Sequence, residues 1–198
     1  MIQNNKPIGI VNHEAARNTD FESALKNHGV SVSELRKAIH GRLILPADTG
    51  YDEARVIFYG DFERRPAMII RAADAEDVAR VVSLAAETGM ELAVRSGGHS
   101  PAGYGLSEGG IVLDLRDMKA LHIDAEKQTA WVEAGLTTGE YTSAADVYGL
   151  ATGFGDTGSV GIGGLTLGGG IGYLSRTHGF TIDSQTFVVL SIGVVPAL

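Results

Sequence analysis

Ten of the twenty residues from Gly153 to Gly172 are glycine. Each glycine costs on the order of 0.5–1 kcal/mol relative to alanine in regular structure. What it returns is positive φ and bare backbone N–H groups that a bound molecule can approach. A shorter segment of the same character stands upstream, Arg95-Ser-Gly-Gly-His-Ser-Pro-Ala-Gly-Tyr-Gly105. Two such loops, about sixty residues apart, predict two walls of one site for a large, phosphate-bearing ligand. A flexible linker is the plainer alternative, but Val160, Ile162, Leu165, Leu167 and Ile171 thread the second loop with apolar side chains. Neither common phosphate cradle is present. Gly161-Ile-Gly-Gly-Leu-Thr166 and Gly103-Tyr-Gly-Leu-Ser-Glu108 both lack the last glycine of the dinucleotide fingerprint, and there is no Walker pattern.

His99 is the second chemical candidate. It sits in a Gly-Gly-His-Ser turn at the C-terminal end of a predicted strand, where α/β proteins place ligands. Imidazole is a competent nucleophile toward an electrophilic cofactor carbon. The other histidines, at 13, 28, 40, 122 and 178, have no ligand-like spacing with acids or with one another, so no metal site is expected. Arg95 and Asp114 fall at strand ends, where fixing the loops and touching a ligand are equally open roles. Trp131 is expected in the core.

The elements that must carry these loops are legible. Residues 67–71 and 91–95 read as strands, with a helix over 74–88 between them. Asp74 is the N-cap, Gly89 the C-cap, and Val78, Val81, Val82, Leu84 and Ala85 form the apolar stripe. This is a β–α–β unit whose second strand runs straight into Ser96-Gly-Gly-His-Ser100. Upstream lie a short helix over 31–40 capped by Ser31 or Ser33, a strand over 41–46, and a turn into a helix at 48–53. Downstream come a strand over 110–115, a hairpin of 121–124 with 129–134, a helix over 138–148 opened by Thr137 or Thr138 and closed by Gly149, one or two helical turns over 172–179, and a strand from Thr181. The fold class is α+β. The expected division is an N-terminal extension over 1–40, loosely ordered in its first nineteen residues, a first lobe over 41–105 and a second lobe over 106–198.

Composition narrows the partners. The 198 residues are 44% hydrophobic, enough for a sizeable core, and 16 Lys+Arg against 24 Asp+Glu give a net charge of −8. That balance argues against nucleic acid or an anionic membrane as partner. The absence of cysteine rules out disulfides and thiolate metal sites and suits a reducing cytoplasm. The first dozen residues are too polar for a secretory signal, and no run nears the roughly 18 apolar residues of a membrane span. The nearly all-apolar run Phe187-Val-Val-Leu-Ser-Ile-Gly-Val-Val-Pro-Ala-Leu198 is an unusual way to finish a domain, and reads as a chain cut short or as one whose last residues depart from those of its relatives.

Taken together, Arg95-Ser-Gly-Gly-His-Ser100, Thr157-Gly-Ser-Val-Gly-Ile-Gly-Gly164 and Gly168-Gly-Gly-Ile-Gly-Tyr-Leu-Ser-Arg176 resemble the flavin domain of the vanillyl-alcohol oxidase / para-cresol methylhydroxylase (PCMH) type, specifically its berberine-bridge-enzyme-like branch. Leu45-Pro-Ala-Asp-Thr-Gly-Tyr-Asp-Glu-Ala54 and Arg65-Pro-Ala-Met-Ile-Ile-Arg71 are similar to that family's opening segment. The resemblance runs from about Gly41 to Asp183. It implies an FAD held between two α+β lobes, with the pyrophosphate on the amides of the first loop and His99 bonded covalently to the flavin. The implied cofactor-binding set is Arg95, Ser96, Gly97, Gly98, His99, Ser100, Gly153, Thr157, Val160, Gly161, Gly164 and Gly169. Two departures matter. Many members carry a cysteine where Thr157 stands, so at most one covalent link can form here, and many carry a histidine where Leu165 stands. Members also continue into a substrate domain that supplies the catalytic base, so no catalytic residue is named in this chain. The implied activity is oxidation of a small organic substrate by hydride transfer to FAD, with oxygen or another acceptor taking the electrons. The alternatives are a non-catalytic FAD-binding remnant without a substrate site and a nucleotide-phosphate module unrelated to flavin.

Overall fold

The computed structural model describes residues 25–26, 31–187, 191–193 and 195–196. The expectations for the first nineteen residues, and for parts of the apolar C-terminal run, lie outside them.

A four-stranded sheet organises the N-terminal half. Its strands are β1 (Arg42–Ile44), β2 (Met68–Arg71), β3 (Leu92–Arg95) and β4 (Ile111–Asp114), in the spatial order β1-β2-β4-β3. β4 runs parallel to both β2 and β3, and β1 is antiparallel to β2. The β–α–β unit therefore spans one strand position, because β4 inserts between its two strands. The sheet also continues past the expected division at residue 105.

Strands covered on both faces read as continuous apolar runs, and Met68, Ile69 and Ile70 are all fully buried. Their side chains alternate between faces with the period of two that a pleated strand imposes. Met68, Ile70, Ile111 and Leu113 join Leu35, Leu43, Val81 and Leu84 in one cluster, while Ile69 and Val112 face Tyr51, Ala54 and Ala93 in another. Helices α1 (Val32–Ala38) and α3 (Ala75–Thr88) cover the first face, and α2 (Tyr51–Arg55) the second.

The caps follow the sequence. Ser31 and Glu34 form a capping box on α1, Asp74 accepts from the Glu76 and Asp77 amides, and Gly89 takes the left-handed C-terminal position at φ 68°. Val82 is 48% exposed and does not belong to the stripe. Asp77, which the apolar pattern passed over, is fully buried instead. Its carboxylate accepts from the backbone N–H groups of His40, Gly41 and Ala73, tying β1's approach to the start of α3.

His40 also meets Asp74, 2.7 Å from Nδ1 to Oδ2, a proximity that linear spacing did not reveal. All four oxygens of Asp74 and Asp77 accept hydrogen bonds from this chain, so the cluster works as a cap and clamp. The Asp74 hydrogen bond and charge hold the His40 pKa above its usual 6.5, and His40 in turn holds Asp74 below its usual 3.8. The histidine's contribution to stability is complete below the unfolded pKa and disappears as pH rises through the higher folded value. The aspartate's is complete above its unfolded pKa and disappears as pH falls through the lower folded value. Melting temperature of the wild type minus that of His40→Gln, followed against pH, should be largest between about pH 4 and 6.5 and shrink on either side. A flat difference would refute the pairing.

The second half packs around Ala130, Val132, Leu136, Tyr141, Ala145, Leu150, Phe154 and Ile162. β5 (Leu121–Asp124) and β6 (Thr129–Val132) form the expected hairpin, and β8 (Gln185–Phe187) and β9 (Ser191–Gly193) complete a sheet of order β5-β6-β9-β8. β7 (Leu150–Ala151) pairs with β10 (Val195–Pro196). Trp131 is 41% exposed. It alternates with Ala130 and Val132, and those two take the core face, so its size did not decide its side. Helix α4 (Thr138–Asp146) is opened by a capping box of Thr137 and Glu140. Residues 181–184 form a 3-10 turn before β8 begins, so the strand starts four residues later than its sequence implies. Among the described residues no helix is long and apolar enough to cross a membrane.

Candidate cofactor site

β3 and β4 end side by side, with Arg95 and Asp114 in register. Their side chains, both fully buried, pair at 2.8 Å, and Arg95 Nη2 also donates to the Ala54 carbonyl at 2.7 Å. Arg116 reaches the same carboxylate at 2.9 Å and Arg71 at 3.5 Å. Burial pushes the Arg95 pKa down, and the adjacent carboxylate offsets part of that. The Arg95 stem lies directly behind the first glycine loop, where a Cβ on Gly98 or Gly105 would touch it at 3.6 Å and 3.4 Å. Arg95 thus buttresses the loop from beneath, while its Nε and Nη1 find no partner among the described residues.

Immediately beyond β3 the chain turns through Gly98 at φ +72°, a left-handed conformation that glycine adopts without steric cost. The Gly98 carbonyl accepts from the Phe58 amide. Among the described residues no protein acceptor meets the backbone N–H of Gly97, Gly98, His99 or Ser100. Four consecutive amides without a protein acceptor, beside a left-handed glycine, are available to an anion, and binding through backbone amides requires no basic side chains.

The second loop closes against the first. Gly97 and Gly161 pack backbone to backbone so tightly that a Cβ on either would overlap the other's amide nitrogen. Ser96 Oγ donates to the Ala134 carbonyl. Gly161 caps α5 (Ile162–Leu167), a short helix that the glycine content of this stretch concealed. Ile162 anchors it in the second core.

A cavity of about 380 Å³ lies between the loops. Arg95, Ser96, Gly97, Gly98, His99, Ser100, Val160, Gly161 and Gly164 all line it. Gly153, Thr157 and Gly169 do not. The Gly153 carbonyl accepts from Thr181 Oγ1, the Thr157 carbonyl from Thr138 Oγ1, and the Gly169 carbonyl from the Ile182 amide. Those three residues hold the second loop to its surroundings. A larger hollow, about 510 Å³ beside β1, is lined by charged groups that include Arg36, Arg42 and Asp48. Arg36 is already paired with Asp48, and Arg42 with Asp117.

His99 is held from two directions. Phe58 stacks on the imidazole with centroids 4.1 Å apart and planes at 21°, and Ser159 Oγ lies 3.1 Å from Nε2. Burial lowers the His99 pKa, against a smaller upward pull from Ser159, which favours the neutral ring. Neither contact was visible in the sequence. Phe58 precedes His99 by about forty residues and Ser159 follows by sixty, and neither belongs to a pattern that points at a histidine.

The residues present fit an adenine dinucleotide carrying a flavin: free amides suit its diphosphate, and a neutral imidazole lies on the rim of the same cavity. Residues 66–191 match the family model described as FAD binding domain. The chain is 42% identical over 147 residues to (R)-6-hydroxynicotine oxidase of Paenarthrobacter nicotinovorans, covering 74% of this chain and 32% of that protein. It is 34% identical over 132 residues to berberine bridge enzyme-like 9 of Arabidopsis thaliana, covering 64% of this chain and 25% of that protein. Among solved structures, 6-hydroxy-D-nicotine oxidase from Arthrobacter nicotinovorans superposes with a TM-score of 0.74 at 37% identity, over 84% of this chain and 37% of that one. Physcomitrella patens BBE-like 1 superposes with a TM-score of 0.73 at 26% identity, over 78% and 34%. The chain spans between a quarter and somewhat over a third of the length of these relatives. With a glycine-walled cavity at the end of its parallel strands and relatives that include FAD-linked oxidoreductases and a berberine bridge enzyme-like protein, this chain belongs to the FAD binding domain family.

Proposed function

We propose that this chain is the flavin-holding part of an oxidoreductase that oxidises a small organic substrate, with FAD bonded covalently through His99. The observation that carries the reading is the apposition of the two glycine loops at Gly97 and Gly161, with His99 beside the junction. When bound, FAD supplies the two-electron redox chemistry, accepting hydride from the substrate and passing electrons to oxygen or another acceptor. The chain's own share is binding and orientation. The amides of residues 97–100 receive the diphosphate, Arg95 and Asp114 keep that loop in shape from below, and His99 offers a neutral, nucleophilic nitrogen.

A second reading, an FAD-binding piece with no substrate site of its own, draws support from the apolar side chains left bare on the second lobe. Leu167, Ile171 and Tyr173 are 68%, 74% and 86% exposed, an unusual density for a finished surface.

Acid precipitation tests the leading reading. The purified chain should be yellow, and the colour should remain with the denatured pellet. Flavin released into the supernatant would leave FAD binding intact and remove the covalent link. Colourless protein that takes up no added FAD would overturn the assignment. Anaerobic bleaching by a substrate separates the two readings, since a piece without a substrate site stays oxidised.

A further inference from the structure

The two side chains that hold His99 do different work. Phe58 covers one face of the ring and fixes its plane, whereas Ser159 meets only the Nε2 edge, at 3.1 Å. Phe58 is itself held by its amide, which donates to the Gly98 carbonyl one residue before the histidine. A neutral imidazole carries one N–H, and whichever nitrogen lacks it is the nucleophile. The partner on one ring nitrogen therefore selects the chemistry of the other.

We propose that Ser159 is a positioning residue for flavin attachment: by accepting Nε2–H at Oγ it holds His99 in the tautomer whose Nδ1 lone pair is free, and Nδ1 is the atom that joins the flavin. This rests on the covalent reading above. The desolvation that lowers the His99 pKa keeps the other nitrogen unprotonated near neutral pH.

The step balances with dioxygen as the two-electron acceptor. The Nδ1 lone pair makes the new bond to the methyl carbon on the flavin's benzene ring. One C–H bond of that methyl breaks, and its electron pair passes into the flavin. The imidazole sheds its Nε2 proton toward Ser159 and so returns to neutrality. The methyl proton and the imidazole proton together match the two electrons the flavin has gained, and dioxygen takes both electrons and protons as hydrogen peroxide.

Two measurements on the full chain test this. In the flavin-free, ¹⁵N-histidine-labelled protein, nitrogen shifts should report His99 as the Nε2–H tautomer, and Ser159→Ala should mix the two tautomers. On adding FAD, Ser159→Ala should bind reversibly with wild-type affinity, yet form acid-stable flavin about 5- to 10-fold more slowly, as loss of one hydrogen bond predicts. Ser159→Thr should restore the rate. An Nδ1–H tautomer in the wild type, or attachment by Ser159→Ala at the wild-type rate, overturns the role of Ser159 and leaves the covalent reading standing. A wild-type chain that binds FAD but never retains it in acid overturns both.

Discussion

His99→Ala should abolish acid-stable flavin completely while leaving reversible FAD binding within about tenfold of wild type. The reason is a division of labour. On the proposed reading the diphosphate meets the backbone amides of residues 97–100, which have no protein acceptor among the described residues, on a loop shaped by the positive φ of Gly98 and the buttress of Arg95. None of these depends on the imidazole. What the substitution removes is the nucleophile, its stacking on Phe58 and its hydrogen bond to Ser159, each worth on the order of 1 kcal/mol. Flavin absorbance of the acid-denatured pellet measures the first quantity, and quenching of FAD fluorescence on titration measures the second. Colour that survives acid in His99→Ala would place the link elsewhere. With no cysteine in the chain, an alternative link would have to use oxygen or another nitrogen.

The second large effect is on stability. Asp114→Ala should destabilise the fold by about 3–5 kcal/mol, the range for removing one partner of a buried ion pair. Asp114 is fully buried and is met by Arg95 at 2.8 Å, Arg116 at 2.9 Å and Arg71 at 3.5 Å. Without it, Arg95 keeps only the Ala54 carbonyl, and a desolvated guanidinium stands next to two others. Urea unfolding should show a lower midpoint with an unchanged slope. FAD affinity should fall along with stability, because Arg95 lies beneath Gly98 and Gly105. A loss below about 1 kcal/mol would mean that the three arginines reorganise toward solvent, and the loop would not then depend on the pair. The substitution Asp114→Asn separates charge from shape. It keeps an acceptor for Arg95 but not the charge, and should fall between the two.

Much of this protein was legible before its structure. The strands at 68–71 and 92–95, the helix from Ala75 to Thr88 with both its caps, and the hairpin around residues 125–128 all rest on local causes. A capping carboxylate, a left-handed glycine and apolar alternation act within a few residues of themselves, so a linear reading captures them. The two glycine loops were recognisable for the same reason: their composition has little use unless backbone must come close to something.

Tertiary structure alone decided what depends on distance across the fold. It placed β4 between β2 and β3, because parallel pairing is settled by long-range hydrogen bonds that no short window contains. It turned Trp131 and Val82 outward and Asp77 inward, since burial follows which face an element presents and not the hydrophobicity of one side chain. Above all it set Phe58 and Ser159 against His99, and it left Gly153, Thr157 and Gly169 outside the lining of that cavity. The residue types capable of chemistry were written in the chain. Which atoms meet was written in the packing, where a Cβ's width separates a cradle from a clash.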